Sequence, residues 1–226
     1  MSESGAGTRD AIERALARGP RPGAVRNATE HGAPGASRRA AADAARRLAD
    51  RVAAEGLADV SYAPADSPFG RLLLAATSRG LVRLAFPEEH IDSVLERLAS
   101  KVSPRIVEAP RALEPVRREL DEYFSGRRRA FDLTLDWALV GPFGRRVLRV
   151  TAGIPYGAVL SYAEVAADAG SPRGFRAAGN ALGANPIPII IPCHRVLRSG
   201  GTLGGYGGGV ERKRWLLELE GALPAR

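Results

Sequence analysis

Residues 161–183 read SYAEVAADAGSPRGFRAAGNALG, and they carry the strongest secondary-structure signals in the chain. Ser161 and Glu164 have the spacing of a capping box, in which a hydroxyl and the carboxylate three residues later each accept a free backbone N–H. The pattern predicts a short helix that begins after Ser161. We expect it to end at Ala169, with Gly170 as its C-terminal cap.

A second helix is predicted directly after the first. Ser171 is a suitable N-cap, and Pro172 suits the first helical position, where its missing N–H has no intrahelical partner to lose. Two helices joined through Gly170 and Ser171 must turn sharply, which is the helix-turn-helix arrangement.

The second helix has two contrasting faces. Phe175, Ala178 and Leu182 recur at helical spacing and predict a buried stripe. The opposite face combines small residues, which allow a close backbone approach, with side chains that suit phosphate or base contacts. These residues are Arg173, Arg176, Ala177, Gly179, Asn180 and Gly183. Similar helix pairs occur in proteins that never touch DNA, so the pair alone leaves DNA binding and a structural role open.

The distribution of charge favours a polyanionic partner. The 226 residues have a formal net charge of +8. Residues 141–226 carry 11 basic and 5 acidic side chains, whereas residues 51–140 carry 13 and 14. A basic C-terminal part suits nucleic acid, although a role in solubility explains the same composition.

Composition also restricts the setting. The sequence contains no run of about 18 apolar residues, so we expect no membrane span. The N-terminus lacks the apolar core of a secretory signal. Cys193 is the only cysteine and the three histidines are scattered, so we expect no disulfide and no zinc site. We therefore expect a cytoplasmic protein.

Three regions are predicted. Residues 1–55 are an extension rich in Ala, Arg, Gly and Pro, flexible over about the first 35 residues and helical at 37–55 with Leu48 and Val52 on one side. Residues 56–137 form a small α+β domain. Residues 138–226 form a mainly helical domain, whose first helix we expect at 143–151.

Local patterns assign the elements of the α+β domain. Residues 71–77 and 81–86 predict a hairpin, and 131–135 alternate like a further strand. Helices are predicted at 87–102, with acidic residues in the first turn, and at 112–124.

The proline-rich stretch 185–192 leads directly into Cys193, His194 and Arg195. Its apolar residues argue for burial and its three prolines for a stiff, extended segment that delivers the cysteine to the edge of the core. Because two basic residues follow, the thiol is a candidate nucleophile, with His194 accepting its proton through a turn or a water. A buried, purely structural cysteine is the alternative.

Two features follow the cysteine. The glycine-rich loop 200–209 lacks the ending of a phosphate-binding loop and carries one aromatic residue, Tyr206. The last helix, predicted at 210–220, places Glu220 at its negative end, where a carboxylate is mildly unfavourable. Orientation of a histidine would explain it, and an exposed helix-end glutamate is the alternative.

The hexapeptide IPCHRV at 191–196 resembles the signature of the O6-alkylguanine-DNA alkyltransferases, or methylated-DNA–protein-cysteine methyltransferases. The resemblance extends over residues 141–221 and is looser over 58–136. Its further elements are Tyr162 after Ser161, Arg176, Asn185-Pro186, Tyr206, Trp215-Leu216-Leu217 and Glu220-Gly221.

The resemblance implies an α+β fold, with an RNase H-like N-terminal domain followed by a helical domain that carries a winged-helix-like helix-turn-helix. It also implies irreversible transfer of an alkyl group from O6 of guanine to Cys193 after base flipping. Activity on O4-alkylthymine is implied as well. Each molecule would act once. The implied partner is duplex DNA containing O6-alkylguanine, with no metal, no cofactor and no obligate protein partner, so that the protein acts as a monomer.

The resemblance assigns a role to each site residue. Cys193 is the implied nucleophile, His194 takes its proton, and Glu220 orients the imidazole. Asn185 holds the turn and Tyr162 protonates the leaving guanine. The implied DNA contacts are Arg176, which fills the space of the flipped base, with Ser161, Arg173, Ala177, Gly179 and Asn180. The implied substrate pocket comprises Pro188, Val196, Tyr206 and Gly207.

Two residues depart from the family pattern. Phe175 stands where a small residue is usual. Gly207 stands where some members carry a hydroxyl side chain, and we expect the glycine to widen the pocket toward bulkier alkyl groups. Two rival functions are a damage-binding module without catalysis, against which Cys193 counts, and a Cys-His hydrolase, which needs an oxyanion hole and turns over repeatedly.

Overall fold

The computed structural model describes residues 34–224, with side chains from residue 38 onward. The described residues from 41 onward form one compact unit. Helix α1, Pro34–Ala54, confirms the helix predicted at 37–55. Most of the stretch predicted to be flexible lies outside the described residues. No helix within residues 34–224 is both long and apolar enough to cross a membrane.

A four-stranded sheet forms the centre of the first half. The strands are β1 (Val60–Ala65), β2 (Leu72–Thr77), β3 (Gly80–Ala85) and β4 (Ile106–Glu108), in the order β3-β2-β1-β4. The predicted hairpin is confirmed, because β2 pairs antiparallel with both β1 and β3, while β4 joins β1 in parallel.

Apolar residues on both faces of the sheet hold the first half together. Leu72 and Leu74 point to a large core shared with the rest of the molecule, and Leu73 and Ala75 point to a smaller core. Helix α2 (Ile91–Lys101) packs on the smaller core. A 3₁₀ turn, Pro110–Leu113, and helix α3 (Glu114–Phe124) pack on the larger one. A strand buried on both faces needs a continuous apolar run, which β2 has.

Two elements predicted for this half differ from the structure: one helix begins later than predicted, and one strand does not form. The helix predicted at 87–102 begins only at Ile91, because Glu88 and Glu89 bind Arg212 and Arg83 instead of capping a helix. Residues 131–135 form no strand. Only Leu135 bridges to the edge of the sheet, at Leu81, so the alternating residues pack along the edge without a ladder.

Four α-helices and a short parallel strand pair build the described second half of the chain, residues 142–224. Helix α4 (Pro142–Ala152) confirms the predicted first helix, and it packs with α5 (Tyr162–Asp168) and α6 (Phe175–Gly183). Strands β5 (Leu160–Ser161) and β6 (Val196–Leu197) pair beside them. Helix α7 (Val210–Leu219) closes the chain, with Glu220 as its C-cap. The α+β architecture is thereby confirmed.

The first helix of the pair follows its sequence signals. Ser161 accepts the N–H of Glu164 through its side chain, and the Glu164 carboxylate accepts the N–H of Ser161, so the predicted capping box is confirmed. Gly170 adopts φ +77°, a left-handed conformation that glycine adopts at little cost, and it ends the helix as predicted.

The start of the second helix is wrong. Helix α6 begins at Phe175 with Gly174 as N-cap, because residues 171–174 form a turn in which the Gly174 N–H donates to Ser171 O. A Cβ at Gly174 would lie 2.3 Å from Ser171 Oγ and 3.0 Å from Ser171 O, so a larger residue there would force the serine side chain to move. The link between the helices is therefore longer than predicted.

Phe175 was assigned to the buried stripe, and this is also wrong. Its side chain is 49% exposed, whereas Ala178 and Leu182 are buried as predicted. As the first residue of α6, Phe175 directs its side chain back past the N-terminal end of the helix rather than onto its buried face.

Candidate active site

The segment between α6 and Cys193 is buried, as its apolar residues predicted, but it forms a turn rather than the stiff, extended segment expected from its prolines. Asn185 holds it: its Oδ1 accepts from Ile187 N at 3.0 Å, and its Nδ2 donates to Ile191 O at 2.9 Å. Ile189 adopts φ +74°, which is strained for a β-branched residue and is maintained here by full burial.

The reactive-cysteine candidate begins a short 3₁₀ helix, Cys193–Arg195. Its Sγ accepts a hydrogen bond from Asn185 Nδ2 at 3.1 Å, and its side chain is only 7% exposed. Burial raises the pKa of the Cys193 thiol above its usual range, while the Asn185 hydrogen bond and the charge of Lys213 oppose this. The thiol therefore needs a base at neutral pH.

His194 and Glu220 form a buried pair, with 3.0 Å between Nε2 and Oε1. Burial raises the pKa of Glu220, but hydrogen bonds from His194 and Arg195 outweigh it and hold the pKa at about 2. Burial lowers the pKa of His194. An ionised Glu220 accepts the Nε2 proton of a neutral imidazole, which leaves Nδ1 with its lone pair. Nδ1 is buried and bonds to no residue within the described part of the chain.

Glu220 accepts further hydrogen bonds from two residues that sequence reasoning did not assign to the site. Arg195 donates from Nε and Nη2 at 2.9 and 2.8 Å, and also from Nη1 to Ile154 O at 2.5 Å. Tyr123, from α3, donates its hydroxyl to Oε1 at 2.6 Å. Tyr123 and Glu220 are 97 residues apart, so no local pattern links them.

Lys213 is a third residue that the sequence did not assign to the site. Its side chain is fully buried, and its Nζ donates to Val196 O at 2.6 Å and lies 5.9 Å from the centre of the Tyr162 ring. Burial lowers its pKa to about 8, and the nearby Cys193 opposes the shift. The signal available in the sequence was a lysine in line with Leu216 and Leu217 on α7.

A cavity of about 950 Å³ opens onto Cys193. It brings together many of the predicted site residues, from α5, from α6 and from the glycine-rich loop. These are Tyr162, Arg176, Gly179, Tyr206 and Gly207, with Phe175 beside them. The Arg176 guanidinium lies 5.7 Å from the centre of the Phe175 ring, so the exposed phenylalanine is part of this surface.

Other predicted site residues lie outside this cavity. Arg173, Ala177 and Asn180 are exposed at or before α6, on the surface next to it. Ser161 is half-buried and engaged in its capping box. Val196 is fully buried, and Pro188 lines a different cavity. Within residues 34–224 no three His, Cys, Asp or Glu side chains are grouped as metal ligands.

Comparisons with known proteins match both halves of the chain. Residues 60–137 match the family model for the ribonuclease-like domain of 6-O-methylguanine DNA methyltransferase, and residues 142–222 match the model for its DNA-binding domain. The methylated-DNA–protein-cysteine methyltransferase of Mycolicibacterium paratuberculosis is 42% identical over 162 residues, which cover 71% of this chain and 92% of that protein. The protein of that name from Methanosarcina barkeri is 39% identical, with 69% and 93% covered.

Solved structures give the same result. The structure of Mycobacterium tuberculosis OGT in complex with DNA aligns with a TM-score of 0.62 and 41% identity, and covers 72% of this chain and 93% of that one. Together, the cysteine-centred cavity and the two-part fold define a class of DNA-repair protein. Members of this class combine a ribonuclease-like domain with a DNA-binding domain that contains a helix-turn-helix. The chain belongs to the 6-O-methylguanine DNA methyltransferase family, which confirms the resemblance seen in the sequence.

Proposed function

We propose that this protein repairs O6-alkylguanine in duplex DNA by moving the alkyl group onto Cys193. The observation that carries the proposal is the placement of the only cysteine at the base of a cavity whose other wall is the helix-turn-helix. The methyltransferase names of the relatives and the DNA bound to the related mycobacterial protein support it.

His194 is the proposed base. Its Nδ1 carries the free lone pair, while Glu220 fixes the opposite ring nitrogen. The thiol proton passes to Nδ1 through one bridging water, and the resulting imidazolium is stabilised by the carboxylate of Glu220. Asn185 and Lys213 stabilise the thiolate, one by a hydrogen bond and the other by its charge.

The thiolate then attacks the alkyl carbon in line with the bond to O6. A C–S bond forms, the C–O bond breaks, and the electron pair of that bond stays on the guanine. Tyr162, which lines the same cavity and whose hydroxyl lies 3.4 Å from Gly205 O, donates a proton to the leaving base. The products are a thioether and guanine, and the base regains its ordinary hydrogen-bonding edge.

Base flipping is required because O6 is inaccessible inside a stacked duplex. Arg176 is the proposed replacement for the extruded nucleotide, since it stands exposed at the edge of the cavity on α6. Ser161, Arg173, Ala177, Gly179 and Asn180 are proposed to contact the DNA around it. Exposed arginines and small residues suit close contact with the backbone.

Each molecule is proposed to act once, because a thioether is not reducible and Cys193 is the only cysteine. The protein is also proposed to act as a monomer. The test is a titration of protein with excess duplex containing O6-methylguanine. We expect restored guanine to reach one equivalent per protein and then stop. Continued release of product would indicate a hydrolase, and bound but unrepaired duplex would indicate a damage sensor.

A further inference from the structure

Arg83 is a buried arginine on β3 that the proposed mechanism does not use. Its residue is only 9% exposed, and its guanidinium forms an ion pair with Glu89. The Nη1 of the same guanidinium donates to Pro186 O at 2.9 Å and to Leu84 O at 3.0 Å. A buried charge is stable only when it is paired and hydrogen-bonded, so these partners hold the guanidinium in one place.

The acceptor Pro186 O belongs to the turn that leads to the reactive cysteine. It accepts a second hydrogen bond from Leu84 N, at 2.9 Å. A carbonyl oxygen has two lone pairs, and here both are taken by donors from β3. Arg83 and Pro186 are 103 residues apart, so this contact joins the ribonuclease-like half to the cysteine segment.

The same peptide group is also bound on its other side. Its N–H, which belongs to Ile187, donates to Asn185 Oδ1 at 3.0 Å. With Oδ1 committed as the acceptor, Nδ2 points to Ile191 O and to Cys193 Sγ, at 2.9 and 3.1 Å. Three successive hydrogen bonds therefore connect the guanidinium of Arg83 to the sulfur of the cysteine.

This series of hydrogen bonds acts on the thiol in two ways. Burial raises the pKa of the Cys193 thiol, and the hydrogen bond from Asn185 is the largest interaction that opposes this. A rotation of the peptide group would move the amide of Asn185 away from the sulfur. In addition, donors on the carbonyl polarise the peptide and strengthen its N–H as a donor, since hydrogen bonds in series reinforce one another.

Glu89 holds Arg83 from the opposite side. Its carboxylate binds the arginine and accepts the N–H of Phe86 at 3.2 Å, so the chain after β3 folds back over the guanidinium. Its negative charge also offsets the positive charge of Arg83. Removal of Glu89 would therefore loosen the arginine but leave its charge uncompensated, which separates an effect of position from an effect of charge.

We propose that Arg83, held by Glu89, is a positioning residue for alkyl transfer, because it fixes the peptide group between Pro186 and Ile187 and thereby the Asn185 amide that binds the sulfur. The inference rests on the proposed function, since it concerns the rate at which Cys193 accepts an alkyl group. It gives the ribonuclease-like half a part in orienting the thiol.

The experiment measures single-turnover transfer from an O6-methylguanine duplex over a range of excess protein concentrations. Rates are expressed per active molecule, which is counted from the end point with excess duplex, so partial unfolding does not lower them. Arg83→Met should reduce the limiting rate by about fivefold, the effect of one weakened hydrogen bond. Glu89→Ala should reduce it less. The half-saturating concentration should stay the same in both, because neither residue lies on α5 or α6.

Arg128→Met is the matched control. Arg128 is also partly buried, also binds a carboxylate, that of Glu122, and also donates to a backbone carbonyl, Ala130 O at 2.9 Å. None of these partners belongs to the cysteine segment, so Arg128→Met should keep the wild-type limiting rate. Glu89→Ala tests the proposal alone if Arg83→Met does not fold.

Three results would overturn the positioning role. They are a wild-type limiting rate in Arg83→Met, an equal loss in Arg128→Met, and a change in the half-saturating concentration alone. A rate in Glu89→Ala that equals or exceeds the wild-type rate would also overturn it, because charge rather than position would then favour the thiolate. Absence of transfer by the wild-type protein would instead overturn the proposed function.

Discussion

The hydroxyl of Tyr123 donates a 2.6 Å hydrogen bond to Glu220 Oε1, the same oxygen that faces His194 Nε2. Tyr123 belongs to α3 in the ribonuclease-like half, and Glu220 caps the last helix. The first half of the molecule thus contributes directly to the hydrogen-bond network behind the reactive cysteine.

Replacing Tyr123 by phenylalanine removes this donor without changing the packed ring. We expect the free energy of unfolding to fall by about 2 kcal/mol, the range for a buried hydrogen bond to a charged group. Alkyl transfer should also slow, because Glu220 is held less firmly against the imidazole. Chemical denaturation and single-turnover kinetics measure the two effects.

Tyr62→Phe is the control, since Tyr62 is half-buried on the sheet and its hydroxyl bonds to no described residue. A Tyr123→Phe protein as stable and as fast as Tyr62→Phe would show that the contact contributes nothing to either property.

The pKa of Glu220 predicts how stability depends on pH. The folded-state pKa is depressed from 4.5 to about 2, so the carboxylate contributes stability that is present above about pH 4.5 and is lost as the pH falls toward 2. The shift corresponds to about 3 kcal/mol. Denaturation curves at pH 7 and pH 3 should show a larger loss for the wild type than for Glu220→Gln. Equal losses in both proteins would mean that Glu220 has an ordinary pKa.

Lys213 offers a separation of charge from packing. Lys213→Met keeps the volume of the buried chain but removes the cation that favours the Cys193 thiolate. We expect transfer to slow by about tenfold. The free energy of unfolding should fall by only about 1–2 kcal/mol, because Val196 O loses its donor while the packing volume is kept. Arg214→Met, on the same helix, should keep the wild-type rate. Wild-type transfer by Lys213→Met would contradict an electrostatic role.

Arg176→Ala tests base flipping. We expect repair of O6-methylguanine in duplex DNA to fall much more than attack on free O6-benzylguanine, since the free base needs no extrusion. Arg173→Ala, which removes a neighbouring exposed arginine, should weaken duplex binding and leave the ratio of the two activities unchanged. Equal losses of both activities in Arg176→Ala would contradict the proposed role.

Local chemistry made part of this structure predictable. The capping box of Ser161 and Glu164 and the left-handed Gly170 involve residues within a few positions of each other, and both are confirmed. The start of α6 was mispredicted, since Ser171 and Pro172 have the local pattern of a helix start, but the chain makes an additional turn before the helix begins.

Long-range chemistry was visible only through the family resemblance or not at all. The resemblance paired His194 with Glu220, which are 26 residues apart. The resemblance assigned no role to Tyr123 or Lys213, because their roles come from how α3 and α7 pack against the cysteine segment. The exposed position of Phe175 likewise depends on where α6 begins, which the pattern of apolar residues does not specify.

The central claim is that Cys193 itself receives the alkyl group. Intact-protein and peptide mass spectrometry after incubation with an O6-methylguanine duplex tests it most directly, with Cys193→Ser as the control that should bind the duplex and remain unmodified. We predict one added methyl group on the peptide that contains Cys193, saturating at one per protein. An unmodified Cys193 in protein that still holds the damaged duplex would contradict the account.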